Sequence, residues 1–351
     1  MKQIKIGKKI VGDNCPFFTI AEIGSNFDQS LEKAFKMVDL AVDSGADAVK
    51  FQSFKAEELV SDSGFKKMKI GYQSKWKNSV FEVYKKAEFP IEWHQKVFDY
   101  CKKKEIEFFS APYDKNSVDH LEKLGVKAFK IGSGDITWLE NIEYIAKKNK
   151  PIILATGAST IENIKDAINV IRQTGNDKIV LLQCVTNYPA TFENINLKVL
   201  PMLRNKFDCL VGYSDHTPGA SVAVGSVCLG GCMIEKHFTD NKNLPGPDHS
   251  FAMDPSDFKN MIKEIRHTEK ILGKEKKTIY NEELEQFTSM KRGIRASSNL
   301  KAGSILKRKD LKVLRPCEKD TLPANKLNYV VGKILKKNLI KDDPIKLNDI
   351  E

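Results

Sequence analysis

The sequence has 351 residues, of which 41% are hydrophobic and 29% are charged, and its formal net charge is +11. This length allows one large domain and a small one, and the composition is that of a globular protein rather than a disordered or fibrous one. No apolar run approaches the roughly 20 residues of a membrane helix. The N-terminus lacks a signal-peptide core and the seven cysteines are scattered, so we expect a cytoplasmic protein.

The net positive charge is compatible with nucleic-acid binding, but the lysines are spread over every predicted helix and no nucleic-acid-binding motif occurs. A lysine-rich solvated surface explains this charge, and its positive field also helps to attract an anionic substrate. We therefore expect no nucleic-acid partner and no membrane partner.

The first 280 residues predict a barrel. Residues 1–13 predict a small hairpin at its floor, and eight apolar runs rich in β-forming residues predict strands with amphipathic helices between most of them. The strands are predicted at 17–24, 47–54, 105–113, 128–135, 151–157, 178–185, 209–216 and 232–239. Eight strand–helix units over about 250 residues predict an α/β fold of the (β/α)8 TIM-barrel type. An open doubly wound sheet is the alternative, but its Gly-rich turn is missing after the first strand.

The longest gap between a strand and the next helix, residues 55–89, predicts a loop over the mouth of the barrel. The pattern changes after residue 280, where the charged stretch 281–292 predicts a linker. Residues 293–351 contain short alternating runs interrupted by Gly and Asp, with little helical periodicity. They predict a small second domain of mostly β or irregular structure.

Polar residues gather at the C-terminal ends of the predicted strands, which is the face where barrel enzymes place their chemistry. In "MIEKHFTD", residues 233–240, three ionisable residues follow two apolar ones without a turn residue, which a buried strand carries only where they have a task. The polar strand-end residues are Glu22, Lys50, Gln52, Ser110, Lys130, Ser133, Thr156, Thr186, Tyr188, Asp215, His216, Glu235 and His237.

Two histidines are the candidate metal ligands. His216 and His237 end consecutive strands, and two imidazoles with open positions beside them suit Mn²⁺, Mg²⁺ or Zn²⁺. Two hydrogen-bonding histidines without a metal are the alternative. His249 lies on a loop from which it can also approach the site. The other three histidines fall in helical segments and are expected at the surface: His94, His120 and His267.

Lys50 and Lys130 each interrupt an apolar strand. A lysine that points into a barrel serves as a Schiff base or as a charge clamp on phosphate or carboxylate. Ser133 and the N–H groups of the "GSGD" loop favour the clamp. "ATGAST" adds further N–H donors and the Thr156 hydroxyl, although a plain helix cap is the alternative there. Glu22 is the carboxylate best placed to act as a base beside this cationic pocket.

Together these motifs resemble the sialic acid synthase family, the phosphoenolpyruvate-dependent synthases of nine-carbon 2-keto sugar acids. The matching segments are "AEIGSN", "GADAVKFQ", "FKIGSGD", "GYSDHTPG", "EKHFTD" and "GPDHS", and "LKVLRP" matches the family's C-terminal SAF (antifreeze-like) domain. The resemblance covers nearly the whole chain. Related barrel synthases of deoxyheptulosonate and deoxyoctulosonate phosphates share the reaction type without this C-terminal domain.

The resemblance implies that a divalent metal, Mn²⁺ or Mg²⁺, is held by His216 and His237 and polarises the aldehyde of an open-chain N-acetylated hexose. It implies that C3 of phosphoenolpyruvate attacks this carbonyl carbon, water adds at C2, and phosphate leaves. The implied phosphoenolpyruvate-binding residues are Lys50, Lys130, Ser133, Thr156, Thr186 and Ser214. The implied catalytic residues are Glu22, Lys50, Lys130 and Asp135, and the implied sugar-binding residues are Gln52, Tyr188, Asp248 and Arg315.

The resemblance also implies a domain-swapped homodimer in which the SAF domain of one protomer covers its partner's barrel and Arg315 reaches the N-acyl group. Three departures from the family pattern occur. Asn26-Phe27-Asp28-Gln29 replaces Asn-His-x-Gly, Ala155-Thr156-Gly157-Ala158 replaces Ser-Thr-Gly-Met, and Asp135 stands where many members have Glu. None removes a metal ligand or a lysine, so we expect an active enzyme.

The expected sugar is N-acetylmannosamine, which gives N-acetylneuraminate. The alternative is a 2,4-diacetamido-trideoxy hexose, which gives legionaminate or pseudaminate, and "GADAVKFQSFKA" and "LPGPDHS" are closer to the neuraminate and legionaminate branches than to the pseudaminate branch. Two other kinds of protein are alternatives: a non-catalytic carbohydrate- or nucleic-acid-binding barrel, and a Schiff-base aldolase that uses Lys130.

Overall fold

The computed structural model describes residues 1–68 and 76–351, so residues 69–75 of the predicted mouth loop lie outside the described residues. The chain forms two compact units, Met1–Gly273 and Lys274–Glu351. The first unit opens with an antiparallel hairpin of β1 (Gln3–Ile6) and β2 (Lys9–Gly12), whose turn contains Gly7 at φ +57°. The buried hairpin residues Ile6 and Val11 belong to the same core as the first residues of the barrel strands, so the hairpin covers that end of the barrel.

Eight parallel strands follow the hairpin. They are β3 (Phe18–Glu22), β4 (Ala48–Ser53), β5 (Glu107–Pro112), β6 (Phe129–Ile131), β7 (Ile152–Ala155), β8 (Ile179–Cys184), β9 (Leu210–Asp215) and β10 (Met233–His237). Hydrogen bonds join them in the order β5-β4-β3-β10-β9-β8-β7-β6. Because β5 and β6 also lie side by side, the sheet bends into a nearly closed barrel. The predicted TIM barrel is confirmed.

Helices surround the barrel. They are α1 (Leu31–Asp43), α2 (Ala56–Leu59), α3 (Asp62–Phe65), α4 (Val80–Ala87), α5 (Ile91–Lys103), α6 (Lys115–Leu124), α7 (Leu139–Ala146), α8 (Ile161–Gln173), α9 (Val199–Phe207), α10 (Ser221–Cys228) and α11 (Pro255–Leu272). Several begin where a Ser, Asp or Thr side chain accepts a backbone N–H of the first turn, as Ser30, Asp114, Thr160 and Asp254 do. Within the part of the chain that the structure describes, no helix is long and apolar enough to span a membrane.

Side-chain alternation along the strands sets which residues face the barrel interior. Ile20, Ala48, Val180 and Met233 form part of the inner apolar layer, whereas their sequence neighbours pack outward against the helices. Two positions beyond Ile20, Ala48 and Met233 the inward residues are polar, whereas Leu182, two positions beyond Val180, is still apolar. This second layer contains Glu22, Lys50, Lys130, Ser214 and Glu235.

The second unit has its own small core, which includes Ile294, Leu311, Val330 and Ile345. Its regular elements are α12 (Leu284–Ser289), β11 (Gly293–Ala296), β12 (Leu311–Leu314) and α13 (Leu327–Val330), and β11 pairs antiparallel with β12. The remaining backbone pairing consists of single β-bridges. The stretch predicted as a linker, 281–292, contains α12 and a short 3-10 turn at Asn281–Glu283.

Candidate active site

The C-terminal end of the barrel contains a cavity of about 510 Å³. Strand-end side chains from around the barrel line it, and four of the inward charged groups lie at its base with at most 6% of each residue exposed: Glu22, Lys50, Lys130 and Glu235. Buried charges at this density require compensation by one another.

The first ion pair joins adjacent strands β3 and β4. Lys50 Nζ lies 2.7 Å from Glu22 Oε2, and Gln52 Nε2 donates to the other carboxylate oxygen of Glu22 at 2.7 Å. Burial raises the pKa of Glu22, and the neighbouring Lys50 ammonium opposes this rise without cancelling it. Glu22 is therefore more ready to hold a proton than an ordinary glutamate, which suits a residue that exchanges protons with a substrate.

The second ion pair crosses the barrel. Lys130 Nζ lies 3.3 Å from Glu235 Oε1, which also accepts a hydrogen bond from Ser214 Oγ at 3.2 Å and lies 3.9 Å from Lys50 Nζ. Burial alone would raise the pKa of Glu235, but Lys130 and Lys50 outweigh it and hold that pKa below its usual value. The position of Glu235 at a strand end is visible in the sequence, but the inward direction of its side chain, and therefore its place between the two lysines, becomes clear only when the strand register is known.

The two predicted metal ligands are neighbours, with ring centroids 5.5 Å apart. His216 Nδ1 lies 2.8 Å from the Val185 carbonyl, so Nδ1 carries the proton and Nε2 keeps a free lone pair. Burial and the neighbouring His237 lower the pKa of His216 to about 3, which keeps the imidazole neutral at physiological pH. Nδ1 of His237 is buried without a hydrogen-bond partner among the described residues.

These histidines fit a divalent metal in an open site, since a neutral imidazole and a buried nitrogen without a partner are what a metal would satisfy. Within residues 1–68 and 76–351, no group of three or more His, Cys, Asp or Glu side chains forms a closed metal cage.

The other residues predicted to bind an anion do not all line the cavity. Ser133 and Thr186 line the cavity, and Ser133 Oγ accepts the N–H of Gly157 at 3.0 Å. The Thr156 hydroxyl instead donates to the Leu182 carbonyl at 3.1 Å, and Thr156 is not among the residues that line the cavity. Asp135 lines the cavity, and burial raises its pKa to about 6 although Lys130 opposes this rise.

A second cavity, of about 150 Å³, continues outward from the first and shares Gln52, Tyr188 and His237 with it. Asp248 lines this outer cavity and accepts a hydrogen bond from Ser25 Oγ at 2.9 Å. Apolar and aromatic side chains also line it: Phe54, Trp76, Val83, Ala87, Pro247 and Phe251. Three of the four predicted sugar-binding residues thus lie together, and Arg315 is an exposed residue of the second unit.

Besides Thr156, two more residues of the expected polar ring, Ser110 and Asp215, do not line the cavity. Ser110 Oγ lies 2.6 Å from Ser53 Oγ, which lies 2.6 Å from His94 Nε2 on α5, and Asp215 is ion-paired with Lys236. The expectation that His94 lies at the surface is wrong, because His94 is only 2% exposed. Parallel strands bury both faces, so an apolar sequence run does not reveal which residues point inward.

The unusual segment after β3 is accommodated by local packing. Phe27, in the position of the family's histidine, is fully buried against Phe89, with ring centroids 5.1 Å apart. Asp28 Oδ1 lies 2.9 Å from His249 Nε2, and the other ring nitrogen of His249 lies 2.7 Å from Thr239 Oγ1. His249 is thus bonded to Asp28 and Thr239, and it does not line the main cavity.

Comparisons with known proteins identify the family of this chain. A sequence model described as the NeuB family matches residues 37–277, and one described as the SAF domain matches residues 291–351. The chain is 39% identical to the N,N'-diacetyllegionaminic acid synthase of Campylobacter jejuni over 93% of this chain and 98% of that protein. It is 38% identical to the enzyme of the same name from Legionella pneumophila, over 95% of this chain and 94% of that protein.

A solved structure of N-acetylneuraminic acid (sialic acid) synthetase from Leptospira borgpetersenii, in complex with citrate, is 30% identical to this chain. It aligns with a TM-score of 0.73 over 81% of this chain and 95% of that one. The resemblance seen in the sequence motifs is confirmed: the chain belongs to the NeuB family of sialic acid synthase-type enzymes and carries an SAF domain at its C-terminus.

Proposed function

We propose that this protein condenses phosphoenolpyruvate with an open-chain N-acetylated hexose and water, which gives a nine-carbon 2-keto sugar acid and phosphate. The observation that carries the proposal is the convergence of two lysines, two glutamates and two histidines at one cavity. A multiply charged anion needs the two ammonium groups, and carbonyl chemistry needs groups that polarise an oxygen and move protons.

Phosphoenolpyruvate would bind at the base of the cavity. Lys50 and Lys130 approach it from different strands, and Ser133, Thr186 and Ser214 supply hydroxyl groups nearby. In the absence of substrate, the charges of the two lysines are balanced by Glu22 and Glu235. A Schiff base requires an uncharged amine, and the ion pair between Lys130 and Glu235 therefore favours a charge clamp over an aldolase.

His216 and His237 would hold the divalent metal, Mn²⁺ or Mg²⁺, and this ion would supply a Lewis acid for the sugar aldehyde. The reaction forms a C–C bond from C3 of phosphoenolpyruvate to the aldehyde carbon and a C–O bond from water to C2, and it breaks the bond between C2 and the phosphate oxygen. The water oxygen becomes the C2 carbonyl as phosphate leaves, so the water loses two protons: one ends on the former aldehyde oxygen and the other leaves with the phosphate. Glu22, Asp135 and Glu235 are the carboxyl groups that line the cavity where these protons move.

The sugar would occupy the outer cavity, with Gln52, Tyr188 and Asp248 on its polar side. N-acetylmannosamine remains one candidate. Apolar side chains in an otherwise largely polar wall, among them Phe54, Val83 and Phe251, would accommodate a methyl group at C6, as in the second candidate, a 2,4-diacetamido-trideoxy hexose. The names of the Campylobacter and Legionella relatives support the same choice.

The test is a phosphate-release assay with phosphoenolpyruvate, Mn²⁺ and each sugar in turn, with the product identified by mass. Phosphate is expected only when all three components are present, and the mass should equal sugar plus phosphoenolpyruvate plus water minus phosphoric acid. Treatment with EDTA should abolish release and added Mn²⁺ should restore it. Release that ignores the sugar or survives EDTA would contradict the proposal, as would steeply salt-dependent oligonucleotide binding without turnover.

We also infer a domain-swapped homodimer in which Arg315 of each protomer serves its partner's site. The family resemblance suggests this arrangement, and the second unit exposes large apolar side chains that a protein partner would cover: Ile279, Tyr280, Leu284, Phe287 and Met290. Light scattering should give twice the chain mass. Mixing and reassociating the impaired Lys130→Met and Arg315→Ala proteins should raise activity above that of either protein alone, because each heterodimer would contain one intact site; no increase would contradict the swap.

A further inference from the structure

A buried ion pair lies outside the barrel, directly behind the two histidines. Lys236 Nζ on β10 lies 2.6 Å from Asp215 Oδ2 on β9, and the two residues are register partners in the sheet. Their exposed fractions are 2% and 1%. Because side chains alternate along a strand, this pair points outward while the following residues His216 and His237 point into the cavity.

Every hydrogen of the Lys236 ammonium has a partner. Nζ donates to Asp215, to the Thr217 carbonyl at 2.6 Å and to the Gly219 carbonyl at 3.0 Å. Asp215 Oδ1 in turn accepts the N–H and the hydroxyl of Thr217, both at 2.9 Å. The pair therefore ties the segment that follows His216 to the strand that ends in His237.

A pair of this kind is poorly explained by stability alone. Removing two charges from water costs several kcal/mol per ion, and well-packed apolar residues in the same place are often as stable or more so. What a fully bonded buried pair provides is a fixed geometry. Here that geometry concerns two neighbouring strand ends and the loop between Asp215 and Gly219.

We propose that Asp215 and Lys236 are positioning residues that hold His216 and His237 at the separation and orientation needed to bind a divalent cation. This rests on the proposed function only in taking the two histidines as metal ligands. His216 has a second anchor at the Val185 carbonyl, whereas Nδ1 of His237 has no hydrogen-bond partner among the described residues. The orientation of His237 therefore depends on its strand and on ring contacts with Tyr188 and Phe251.

The test measures Mn²⁺ binding without substrates, by the electron paramagnetic resonance signal of free Mn²⁺, on the full-length protein. The double variant Asp215→Asn/Lys236→Met leaves no unpaired charge behind. The single variant Asp215→Asn keeps the Oδ1 acceptor for Thr217 and serves if the double variant does not fold. Thermal melting identifies the folded proteins, and Arg204→Met is the matched control, since the Arg204–Asp13 pair lies in the same unit but lines neither cavity.

We expect the dissociation constant for Mn²⁺ to rise about tenfold or more in the folded pair variant, as for other residues that support metal ligands, and to stay unchanged in Arg204→Met. A folded pair variant whose Mn²⁺ affinity lies within twofold of wild type would overturn the positioning role. His216→Asn separates the two proposals. If the wild-type protein binds no Mn²⁺, or if the His216→Asn variant binds Mn²⁺ as tightly as wild type, the proposed metal site is wrong. If His216→Asn weakens Mn²⁺ binding but the folded pair variant does not, only the positioning role is wrong.

Discussion

The carboxylate of Glu235 lies 3.3 Å from the ammonium group of Lys130, and neither residue is more than 6% exposed. This contact places a negative charge at the point where an anionic substrate is proposed to bind. On the proposed function, Lys50 and Lys130 would exchange or share their carboxylate partners when the substrate binds. Without substrate, the carboxylates of Glu22 and Glu235 balance the charges of the two lysines. Because both lysines line the cavity, an anion that enters it would meet two ammonium groups.

Replacing either lysine should weaken phosphoenolpyruvate binding. A charge-assisted hydrogen bond contributes about 1.5–3 kcal/mol, so Lys50→Met or Lys130→Met should raise the KM for phosphoenolpyruvate roughly 10- to 100-fold. Steady-state phosphate release measures this change. Lys147→Met, at an exposed lysine paired with Glu143 in its own helix segment, should leave that KM unchanged. Equal KM values for all three variants and wild type would place the anion elsewhere.

Glu235→Gln should separate binding from turnover. This variant removes the negative charge beside both lysines, so the affinity for phosphoenolpyruvate should stay the same or increase. Isothermal titration calorimetry measures this affinity. We expect kcat to fall by about tenfold or more, because Glu235 Oε2 is a buried acceptor without a partner among the described residues, and the carboxamide would no longer hold the Lys130 ammonium by an ion pair. Unchanged kcat would mean that Glu235 only neutralises the lysines.

Asp135 should make the protein less stable as the pH rises. The pKa of Asp135 is raised from 3.8 to about 6 in the folded protein, so folding favours its protonated form. The resulting stabilisation is complete below about pH 4 and is lost as the pH rises through 6, with a magnitude of up to about 3 kcal/mol. Urea unfolding at several pH values should show this loss in wild type relative to Asp135→Asn. Parallel stability curves for the two proteins would contradict the raised pKa.

His94 should have the opposite effect. Burial and the nearby His120 lower the pKa of His94 from 6.5 to about 4, so folding favours the neutral ring. Its stabilisation is present above pH 6.5 and is lost as the pH falls through 4, by up to about 3 kcal/mol. Wild type should therefore lose more stability than His94→Gln between pH 7 and 4. The same urea experiment measures this difference, and a variant as acid-sensitive as wild type would contradict it.

The sequence supported prediction of the barrel and of most cavity-lining residues, because strand–helix alternation and polar strand ends are local patterns. It could not distinguish inward from outward side chains in strands that are buried on both faces. Lys236 and Glu235 are adjacent in "EKH", yet one supports the sheet from outside and the other lies between the lysines.

The hydrogen-bond partners of the side chains could not be predicted from the sequence either. Thr156 lies in a segment suited to anion binding, but its hydroxyl is bonded to the Leu182 carbonyl. His94 lies on an amphipathic helix, and its burial depends on Ser53 of a strand 41 positions away in the chain. Such contacts depend on tertiary packing, which composition and periodicity do not specify.

The central claim is that one cavity holds both the metal and phosphoenolpyruvate. A crystal structure with Mn²⁺ and phosphoenolpyruvate, with the metal located by its anomalous scattering, tests this claim most directly. We predict an anomalous peak bound by His216 and His237 and a phosphoenolpyruvate molecule in contact with Lys50 and Lys130 in the same cavity. A metal peak away from the two histidines, or phosphoenolpyruvate bound outside this cavity, would contradict the account.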